Sequence, residues 1–375
     1  MEFFFQESKM SSNTLEEVVV LQNLPVSDKL ESIPIKRLSV VDRFLSLWIL
    51  LAMVGGTLIG VYIPTFKSIL DTSKVAQVSL PVFLGLLLML YPVFCKVRYE
   101  ELSILLSHRN SSTYLGFSFV LNWIICPLVM TALAWACLPD LPDYRTGILL
   151  IGVARCIAMV LIWNDLAGGD AEWCAILVSL NSVLQMLLFA PLAYFYTVVL
   201  GGSSVGSIQM WPVVQNVLIF LGIPFAGGLV TRVVLRRLMR PSFYDRWFLK
   251  FIGPFALVGL LYTIFIMFAL QGSQLVRQIG PVLRLTVPLV LYFGLVWFMT
   301  MNLSKILNFP FPIAITQSFT AASNNFELAL AIAIATYGVD SHEALATTIG
   351  PLIEVPVLLS LVYATPLIEK YYQYV

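Results

Sequence analysis

Residues 152–164 read Gly152-Val-Ala-Arg155-Cys156-Ile-Ala-Met-Val-Leu-Ile-Trp163-Asn164 and place an arginine near the middle of a long apolar run. A second apolar run carries a carboxylate, in Ala322-Ser-Asn324-Asn325-Phe326-Glu327-Leu-Ala-Leu. A charge at the centre of a bilayer costs at least roughly 2.5–3.5 kcal/mol, so it normally faces water or the interior of a helix bundle, with a partner. The two segments therefore predict membrane helices that enclose a polar centre.

The composition also indicates a chain that lipid covers. Of its 375 residues, 59% are hydrophobic and 11% are charged, whereas soluble domains carry roughly 25% charged residues. These polar side chains are too few to cover the surface of a soluble domain of this length. The net charge of +1 gives no acidic or basic bias, and nucleic acid is therefore not an expected partner.

Ten segments are apolar enough to span a bilayer, which takes about 20 residues of helix. They are residues 44–64, 75–95, 113–138, 147–167, 172–200, 212–235, 249–270, 284–303, 312–337 and 343–367. Polar side chains interrupt four of them: Arg155 the fourth, Asn181 and Gln185 the fifth, Glu327 the ninth and Glu354 the tenth. The sequence thus predicts an all-α membrane protein with ten transmembrane helices.

The lysines and arginines of the connecting segments predict the orientation. With the N-terminus inside, the cytosolic segments hold fifteen of these residues and the outer segments hold five. The outer five are Lys67, Lys74, Arg145, Arg277 and Arg284. This excess predicts that both termini are cytosolic. Residues 1–40 are polar and lack the apolar core of a signal peptide, so we expect a disordered cytosolic tail there.

Ten helices divide into two sets of five, at residues 43–201 and 212–368. An odd number of helices in each half gives the halves opposite orientations, which is common in secondary transporters. The fourth helix of each half is then one of the two that carry a central charge. We therefore expect inverted repeats in which two broken helices, the fourth and the ninth, cross near Arg155 and Glu327.

Arg155 and Glu327 are accordingly expected to lie close together. The same pattern would fit a static ion pair that only joins two helices. Ser323, Asn324 and Asn325 are poor helix formers that can bond to freed backbone groups, so local unwinding is expected beside Glu327. A plain hydrogen-bonded contact between helices is the alternative interpretation of this patch.

Cys156 is the candidate reactive thiol because it adjoins Arg155, and a cation near a thiol makes it a better ligand. The alternative is a small packing residue. The other four cysteines have no comparable charged neighbour and are interpreted as packing: Cys95, Cys126, Cys137 and Cys174. No CxxC pair is present, so neither a zinc site nor a disulfide framework is expected.

Further polar residues are expected to line the same centre. Asn181 and Gln185 share one helix face through their i,i+4 spacing, and Glu354 lies between Pro351 and Pro356, where a kink is expected. A structural contact between helices is the alternative for Asn181 and Gln185. Four weaker candidates complete the set: Asn122, Trp163, Arg232 and Tyr292. Of these, Trp163 would equally serve as an interfacial anchor, and Arg232 as an ordinary cytosolic charge.

Catalysis is not expected. Neither His108 nor His342 lies in a span beside Cys156, so a thiol nucleophile would lack a base. The chain has no phosphate-binding loop of the GxxxxGK type, so an ATP-driven engine within it is not expected either. No cofactor is predicted, and transport would draw on an ion gradient or on a separate subunit.

Several motifs, in order, resemble those of the arsenite efflux permeases of the arsenical-resistance type. They are residues 152–164 followed by Ala167-Gly-Gly-Asp170, then Asn181-Ser-Val-Leu-Gln185, Ala322-Ser-Asn-Asn-Phe-Glu327-Leu-Ala and Gly350-Pro-Leu-Ile-Glu354-Val-Pro356. The resemblance runs from about residue 40 to the end and is nearest to the fungal branch. The extra cysteines and the short connection at 303–311 depart from the family pattern without touching these motifs.

These permeases share a superfamily with the bile-acid sodium symporters. The resemblance implies ten helices, a core domain with crossed discontinuous helices four and nine, and a panel domain. It also implies efflux of arsenite, and in some members of antimonite, across the plasma membrane in exchange for protons. In the sodium-coupled relatives a glutamate at the place of Glu327 helps to hold sodium, so the coupling ion stays open at this point.

Under this interpretation Cys156 contacts arsenite, because trivalent arsenic is soft and favours sulfur, and a single thiol binds weakly enough to release its cargo. Glu327 exchanges the proton. The remaining residues shape, line or brace the site: Arg155, Asn324, Asn325, Asn181, Gln185, Glu354 and Trp163. No obligatory protein partner is expected. The rivals are a sodium-coupled organic-anion carrier on the same fold and a membrane receptor that binds without flux.

Overall fold

The computed structural model describes residues 45–373 except 71, 76, 98, 100–110, 203–208 and 239–242. The predicted tail at 1–40 and His108 therefore lie outside the described residues. The elements in chain order are α1 (Leu45–Tyr62), α2 (Pro64–Leu70), β1 (Lys74–Val75), β2 (Val78–Ser79), α3 (Leu80–Lys96), α4 (Ser111–Cys137), α5 (Pro142–Val153), α6 (Met159–Ala167), α7 (Ala171–Leu200), α8 (Met210–Leu238), α9 (Leu249–Arg277), α10 (Ile279–Ile306), α11 (Phe311–Ala322), α12 (Phe326–Tyr337), α13 (His342–Thr348) and α14 (Gly350–Gln373).

The described chain is almost entirely helical, and six of its helical stretches are long and apolar enough to cross a membrane. They are Ser111–Cys137, Ala171–Leu200, Met210–Leu238, Arg246–Arg277, Ile279–Ile306 and His342–Glu369. Three further apolar helices are shorter: Leu47–Tyr62, Leu80–Lys96 and Phe326–Tyr337. The prediction of an all-α membrane protein is confirmed in this form, apart from one small hairpin of β1 and β2.

Two of the ten predicted spans are interrupted. The span expected at 147–167 consists of α5 and α6, separated by non-helical residues at 154–158. The span expected at 312–337 consists of α11 and α12, separated at 323–325. The second predicted span, at 75–95, was wrong at its start, because residues 74–79 form the hairpin and α3 begins at Leu80 with Pro81 in its first turn. An apolar run alone does not distinguish these cases from a continuous helix.

Local sequence explains how the second of the two interruptions is formed. The chain leaves the helical conformation at Ala154 (φ −79°, ψ 113°) and at Ser323 (φ −81°, ψ 144°). Asn325 then starts α12, because its side-chain oxygen accepts a hydrogen bond from the Leu328 N–H at 3.0 Å. Asparagine is among the preferred residues at such a helix start, so the polar run before Glu327 ends one helix and begins the next.

The helices sort into two sets by their packing. The first helix set comprises α1, α2, α3, the second half of α8 and α9, and the second helix set comprises α4 to α7, the first half of α8 and α10 to α14. Glycines bring backbones together within the first set: a Cβ on Gly60 would lie 2.3 Å from the Ala269 carbonyl oxygen, and one on Gly259 would lie 2.4 Å from the Met89 nitrogen. Such close approach makes each set a tightly packed body.

Candidate functional site

The two interruptions lie side by side and satisfy each other's backbone. Arg155 and Asn324 form an antiparallel bridge, and the Asn325 N–H donates to the Ala154 carbonyl at 3.1 Å. The Asn324 side chain donates to the carbonyls of Ile151 at 2.8 Å and Ala154 at 3.1 Å. Backbone freed at membrane depth is tolerated only where protein or water satisfies it. Residues 154–156 and 323–325 thus form one paired break.

Arg155 is completely buried at the paired break and is held largely by oxygen atoms. Its guanidinium donates to the Tyr292 hydroxyl at 3.3 Å, to the Ala321 carbonyl at 3.4 Å and to the Gly152 carbonyl. Gly152 and Ala321 end α5 and α11, where unpaired carbonyls carry the negative end of the helix dipole. Two helix ends therefore neutralise part of this charge.

The alternative interpretation, a static ion pair between Arg155 and Glu327, was wrong. The described part of the chain contains ion pairs of Lys67 with Asp340, Arg284 with Asp140 and His342 with Asp143, and none involves either residue. Arg155 lies within the paired break, and Glu327 lies two residues beyond it, in the first turn of α12. The guanidinium turns to the helix-end carbonyls because these supply several acceptors in fixed positions.

A second group at the paired break contains the thiol and two carboxylates. Cys156, Glu327 and Glu354 are 3%, 4% and 0% exposed, respectively. The Ser323 hydroxyl donates to Glu354 Oε1. The Cys156 thiol interacts electrostatically with Glu354 and Glu327 and lies beside the Ser323 hydroxyl. The chain fold thus gathers one soft ligand and two carboxylates from α12, α14 and the break before α6.

Both carboxylates keep an oxygen without a hydrogen-bond partner in the described part of the chain. These atoms are Glu327 Oε1 and Glu354 Oε2. Glu327 lies in the first turn of α12, where the positive end of the helix dipole favours an anion. A buried charged carboxylate is costly unless a cation or donor compensates it, so these two oxygens are candidate ligand atoms.

The predicted polar face of α7 also reaches the paired break. Gln185 accepts the Arg155 backbone N–H through its Oε1, and Asn181 accepts the Trp123 indole N–H at 3.2 Å. The side-chain amide nitrogen of each residue has no partner among the described residues. Gln185 is therefore part of the site, and Asn181 braces α7 against α4.

The four weaker candidates do not all lie at the site. Trp163 is 1% exposed, so its interpretation as an interfacial anchor was wrong, while Tyr292 joins the site through Arg155. Arg232 lies elsewhere: it donates to the Cys95 carbonyl at 3.1 Å, where α3 ends. Asn122 bonds within its own helix to Ser118.

Two features at the site were not predicted. Cys126 was interpreted as a packing residue without a charged neighbour, and that was wrong, because it is buried against the Arg155 guanidinium and the Tyr292 hydroxyl. Its helix contains a π-helical turn at Leu121–Ile125 directly before Cys126, an irregularity common at functional sites. Ser323 was named only as a helix breaker, although it contacts Glu354. No periodic pattern reports such contacts, since they join residues distant in sequence.

A cavity of about 220 Å³ lies between the two helix sets and extends to Ala158, two residues beyond the paired break. Its wall includes Lys96 from α3, Asp165 from α6 and Leu257 from α9. Ala158, the last residue before α6, forms its inner end. The cavity lies near the end of the molecule where α3 ends and α9 begins, since Lys96 and Gly253 line it.

The fold and the site describe a multi-pass membrane transporter, and comparison with known proteins agrees. The profile of the Sodium Bile acid symporter family matches residues 83–278, more than half of the chain. The Arsenical-resistance protein Acr3 of Corynebacterium glutamicum is 44% identical over 333 residues, covering 88% of this chain and 89% of its own. Acr3 of Alkaliphilus metalliredigens is 31% identical over 86% of this chain and 91% of its own. The uncharacterized transporter slr0944 of Synechocystis is 29% identical over 87% of this chain and 88% of its own.

The chain belongs to the sodium bile acid symporter family and, within it, to the arsenical-resistance permeases. Members of this family are transporters, so the expectation that the chain is not an enzyme is confirmed.

Proposed function

We propose that this protein extrudes arsenite in exchange for protons, and that it accepts antimonite as a second substrate. The observation that carries the proposal is the group at the paired break, where the Cys156 thiol meets two buried carboxylates that each keep an open oxygen. Two relatives bear the name arsenical-resistance protein, which supports a metalloid as the cargo.

The thiol accounts for the choice of cargo. Trivalent arsenic and antimony are soft and prefer sulfur to oxygen, by the same preference that directs soft metals to cysteine. A transport site has to release what it binds, and one thiol holds a metalloid less firmly than a cage of three. Arg155, Asn324 and Asn325 shape the site, and Gln185, Asn181 and Trp163 brace it.

The carboxylates account for coupling. An ionised carboxylate in a dry site needs a compensating cation or proton, so loading Glu327 with a proton removes a charge that the moving helices would otherwise carry through the membrane. We assign proton exchange to Glu327. Glu354, held by Ser323, lies next to the thiol as the second carboxylate.

The arrangement that we propose has ten transmembrane segments in two inverted repeats, 43–201 and 212–368. The interrupted segments at 142–167 and 311–337 then occupy equivalent places and cross at the paired break. The second helix set acts as the core domain and the first as the panel. Both termini lie in the cytosol, the protein resides in the plasma membrane, and arsenite reaches Cys156 through the cavity beside Lys96 and Asp165.

The test measures arsenite uptake into everted membrane vesicles under an imposed pH gradient. Wild type should accumulate arsenite, and Cys156→Ser should lower uptake at least about tenfold, the loss of transition-state binding that removal of an essential contact produces. Cys137→Ser is the matched control, because Cys137 lies at the end of α4 and is not fully buried. Uptake by Cys156→Ser that equals the control would remove the thiol from the mechanism.

The same vesicles distinguish the rival functions. Uptake that follows a sodium gradient and ignores the pH gradient would replace the proton by sodium. Taurocholate uptake in place of arsenite uptake would identify an organic-anion carrier. Arsenite binding without flux under either gradient would identify a receptor.

A further inference from the structure

A cluster of polar side chains joins the two helix sets at the end of the molecule opposite the cavity. Lys67 of α2 forms an ion pair with Asp340, in the loop between α12 and α13. From α9, Gln274 donates to the Asp340 carbonyl at 2.8 Å, and Gln271 donates to the Val339 carbonyl. Each of these contacts connects the first helix set to one short loop of the second.

A second group of contacts lies beside the first. The Tyr144 hydroxyl, in the first turn of α5, donates to Gln278 Oε1, at the end of α9. Gln278 Nε2 lies 3.2 Å from His342 Nε2, and His342 Nδ1 lies 3.4 Å from Asp143 Oδ2. The rings of Tyr144 and His342 stack with centroids 4.8 Å apart. We call the two groups together the outer latch: Lys67, Gln271, Gln274 and Gln278 on one side, and Asp143, Tyr144, Val339, Asp340 and His342 on the other.

The outer latch differs in kind from the packing inside each helix set. Within the first set, Gly60 allows backbone contact with Ala269, and within the second, a Cβ on Gly147 would lie 2.5 Å from the Glu343 carbonyl oxygen. Backbone contacts of this kind cannot open without unpacking helices.

In the outer latch, the contacts of Lys67, Gln274 and His342 are exposed, whereas Gln271 and Tyr144 are buried. Exposed side-chain hydrogen bonds exchange for bonds to water at a net cost of roughly 0.5–1.5 kcal/mol each. The latch can therefore open while each helix set stays intact.

The cavity and the outer latch lie at the two ends of α9. The cavity wall includes Gly253 and Leu260 of α9, and the latch begins at Gln271. The eighteen residue-to-residue steps from Gly253 to Gln271 span about 27 Å of helix. The two helix sets are thus separated at the cytosolic end of α9 and joined by polar contacts at the other end.

We propose that the outer latch is the external gate of the transporter, and that Lys67–Asp340 is its central contact. With the latch formed, cargo at Cys156 communicates with the cytosol through the cavity, and release to the outside requires the latch to break. This inference rests on the proposed transport function and on the orientation given by the lysine and arginine distribution.

The native ion pair offers a direct test in the full-length protein. A water-soluble carbodiimide applied from the outer side joins an amine to a neighbouring carboxylate. The Lys67 nitrogen bonds to the Asp340 carboxyl carbon, and the displaced oxygen leaves with the reagent as a urea. The resulting amide prevents the two helix sets from separating at this end. Asp340→Asn is the matched control, since it cannot couple and keeps the backbone carbonyl that accepts from Gln274.

Two readouts are taken after mass spectrometry has identified the coupled peptide. Arsenite flux should fall at least about tenfold on coupling of the wild type, because a protein restricted to one state cannot complete the cycle. In Asp340→Asn, the treated protein should keep the flux that this variant has before treatment. Labelling of Cys156 by a membrane-impermeant thiol reagent should be lost from the outer side and kept from the cytosolic side. In untreated Asp340→Asn, the ratio of outer to inner labelling should rise by no more than about fivefold, the equivalent of one exposed ion pair.

The outcomes separate this inference from the proposed function. If untreated wild type moves no arsenite, the proposed function fails, and the labelling of Cys156 still tests the gate. Coupled protein that keeps its flux, or in which Cys156 remains reactive from outside, would overturn the gate. Absence of the amide would overturn it as well, because the two side chains would then not meet.

Discussion

Two buried charged residues, Arg155 in the paired break and Glu327 next to it, differ in the hydrogen-bond partners that surround them. Arg155 is surrounded by fixed acceptors: two helix-end carbonyls and the Tyr292 hydroxyl. Glu327 keeps an oxygen without a partner, as does the neighbouring Glu354. The Nε–H of Arg155 also lacks an acceptor among the described residues, but three internal acceptors hold this charge in place, whereas each carboxylate has an oxygen that can bind a ligand that comes and goes. The difference suggests that the Arg155 group holds the break and the Glu327 group works within it.

The largest expected effect follows removal of Arg155. Arg155→Leu would leave the Gly152 and Ala321 carbonyls unpaired in a dry interior, at a cost on the order of 3 kcal/mol. We expect loss of most folded protein, measured as monodisperse yield in detergent and as a lower unfolding temperature. Arg246→Leu is the control, because Arg246 is exposed and should keep both. Equal yields for the two variants would show that Arg155 is not what holds the break.

Glu327→Gln should leave folding almost unchanged and reduce transport, whereas Arg155→Leu is expected to reduce the amount of folded protein. The amide keeps the size of the side chain and removes a buried charge, so the free energy of unfolding should change by less than about 1 kcal/mol. Arsenite flux driven by the pH gradient should fall at least about tenfold, since an amide, unlike a carboxylate, does not take up and release a proton. Thermal unfolding and vesicle uptake on the same preparation measure both. If Glu327→Gln unfolds as readily as Arg155→Leu, the two charged residues do not differ in their contribution to stability.

Ser323→Ala should have an intermediate effect. It removes the hydroxyl that donates to Glu354 Oε1, and a hydrogen bond to a charged or buried group contributes roughly 1.5–3 kcal/mol. We expect arsenite flux to fall severalfold while folded yield stays near that of wild type. Ser323→Thr is the matched control, because threonine keeps the hydroxyl and suits the extended backbone at this position. If Ser323→Thr fails as Ser323→Ala does, the bond to Glu354 is not the reason.

Sequence alone predicted the class of fold, and the site stays a prediction. Charges and amides inside apolar runs are conspicuous, and two of the expected contacts are present: Gln185 with the Arg155 backbone, and Glu354 with Glu327. The run before Glu327 predicted unwinding, because serine and asparagine bond to freed backbone. The break at 154–158 carries no glycine or proline and follows from its pairing with Asn324, which residue patterns do not report.

The partners of Arg155 were mispredicted for a related reason. A sequence displays side-chain charges, so Glu327 looked like the natural counterion. The actual acceptors at Gly152 and Ala321 are backbone carbonyls, which every residue possesses and which become available only where a helix ends inside the membrane. The contact between Cys126 and Arg155 was not predicted, because the two residues are distant in sequence.

The smallest expected effect concerns an exposed ion pair, which tests whether burial is what distinguishes the charges at the paired break. Arg284 bonds to Asp140 at the surface, and this hydrogen bond lowers the pKa of Asp140 below its ordinary value. A carboxylate with a lowered folded-state pKa adds stability above its unfolded pKa and loses it as the pH falls through the folded value. Arg284→Gln should therefore lower the unfolding temperature slightly at neutral pH and not at all in strong acid. Added salt should remove even the neutral-pH difference, because exposed charges are screened. If Arg284→Gln lowers the unfolding temperature as much as Arg155→Leu does, burial does not determine how much each of these charged residues contributes to stability.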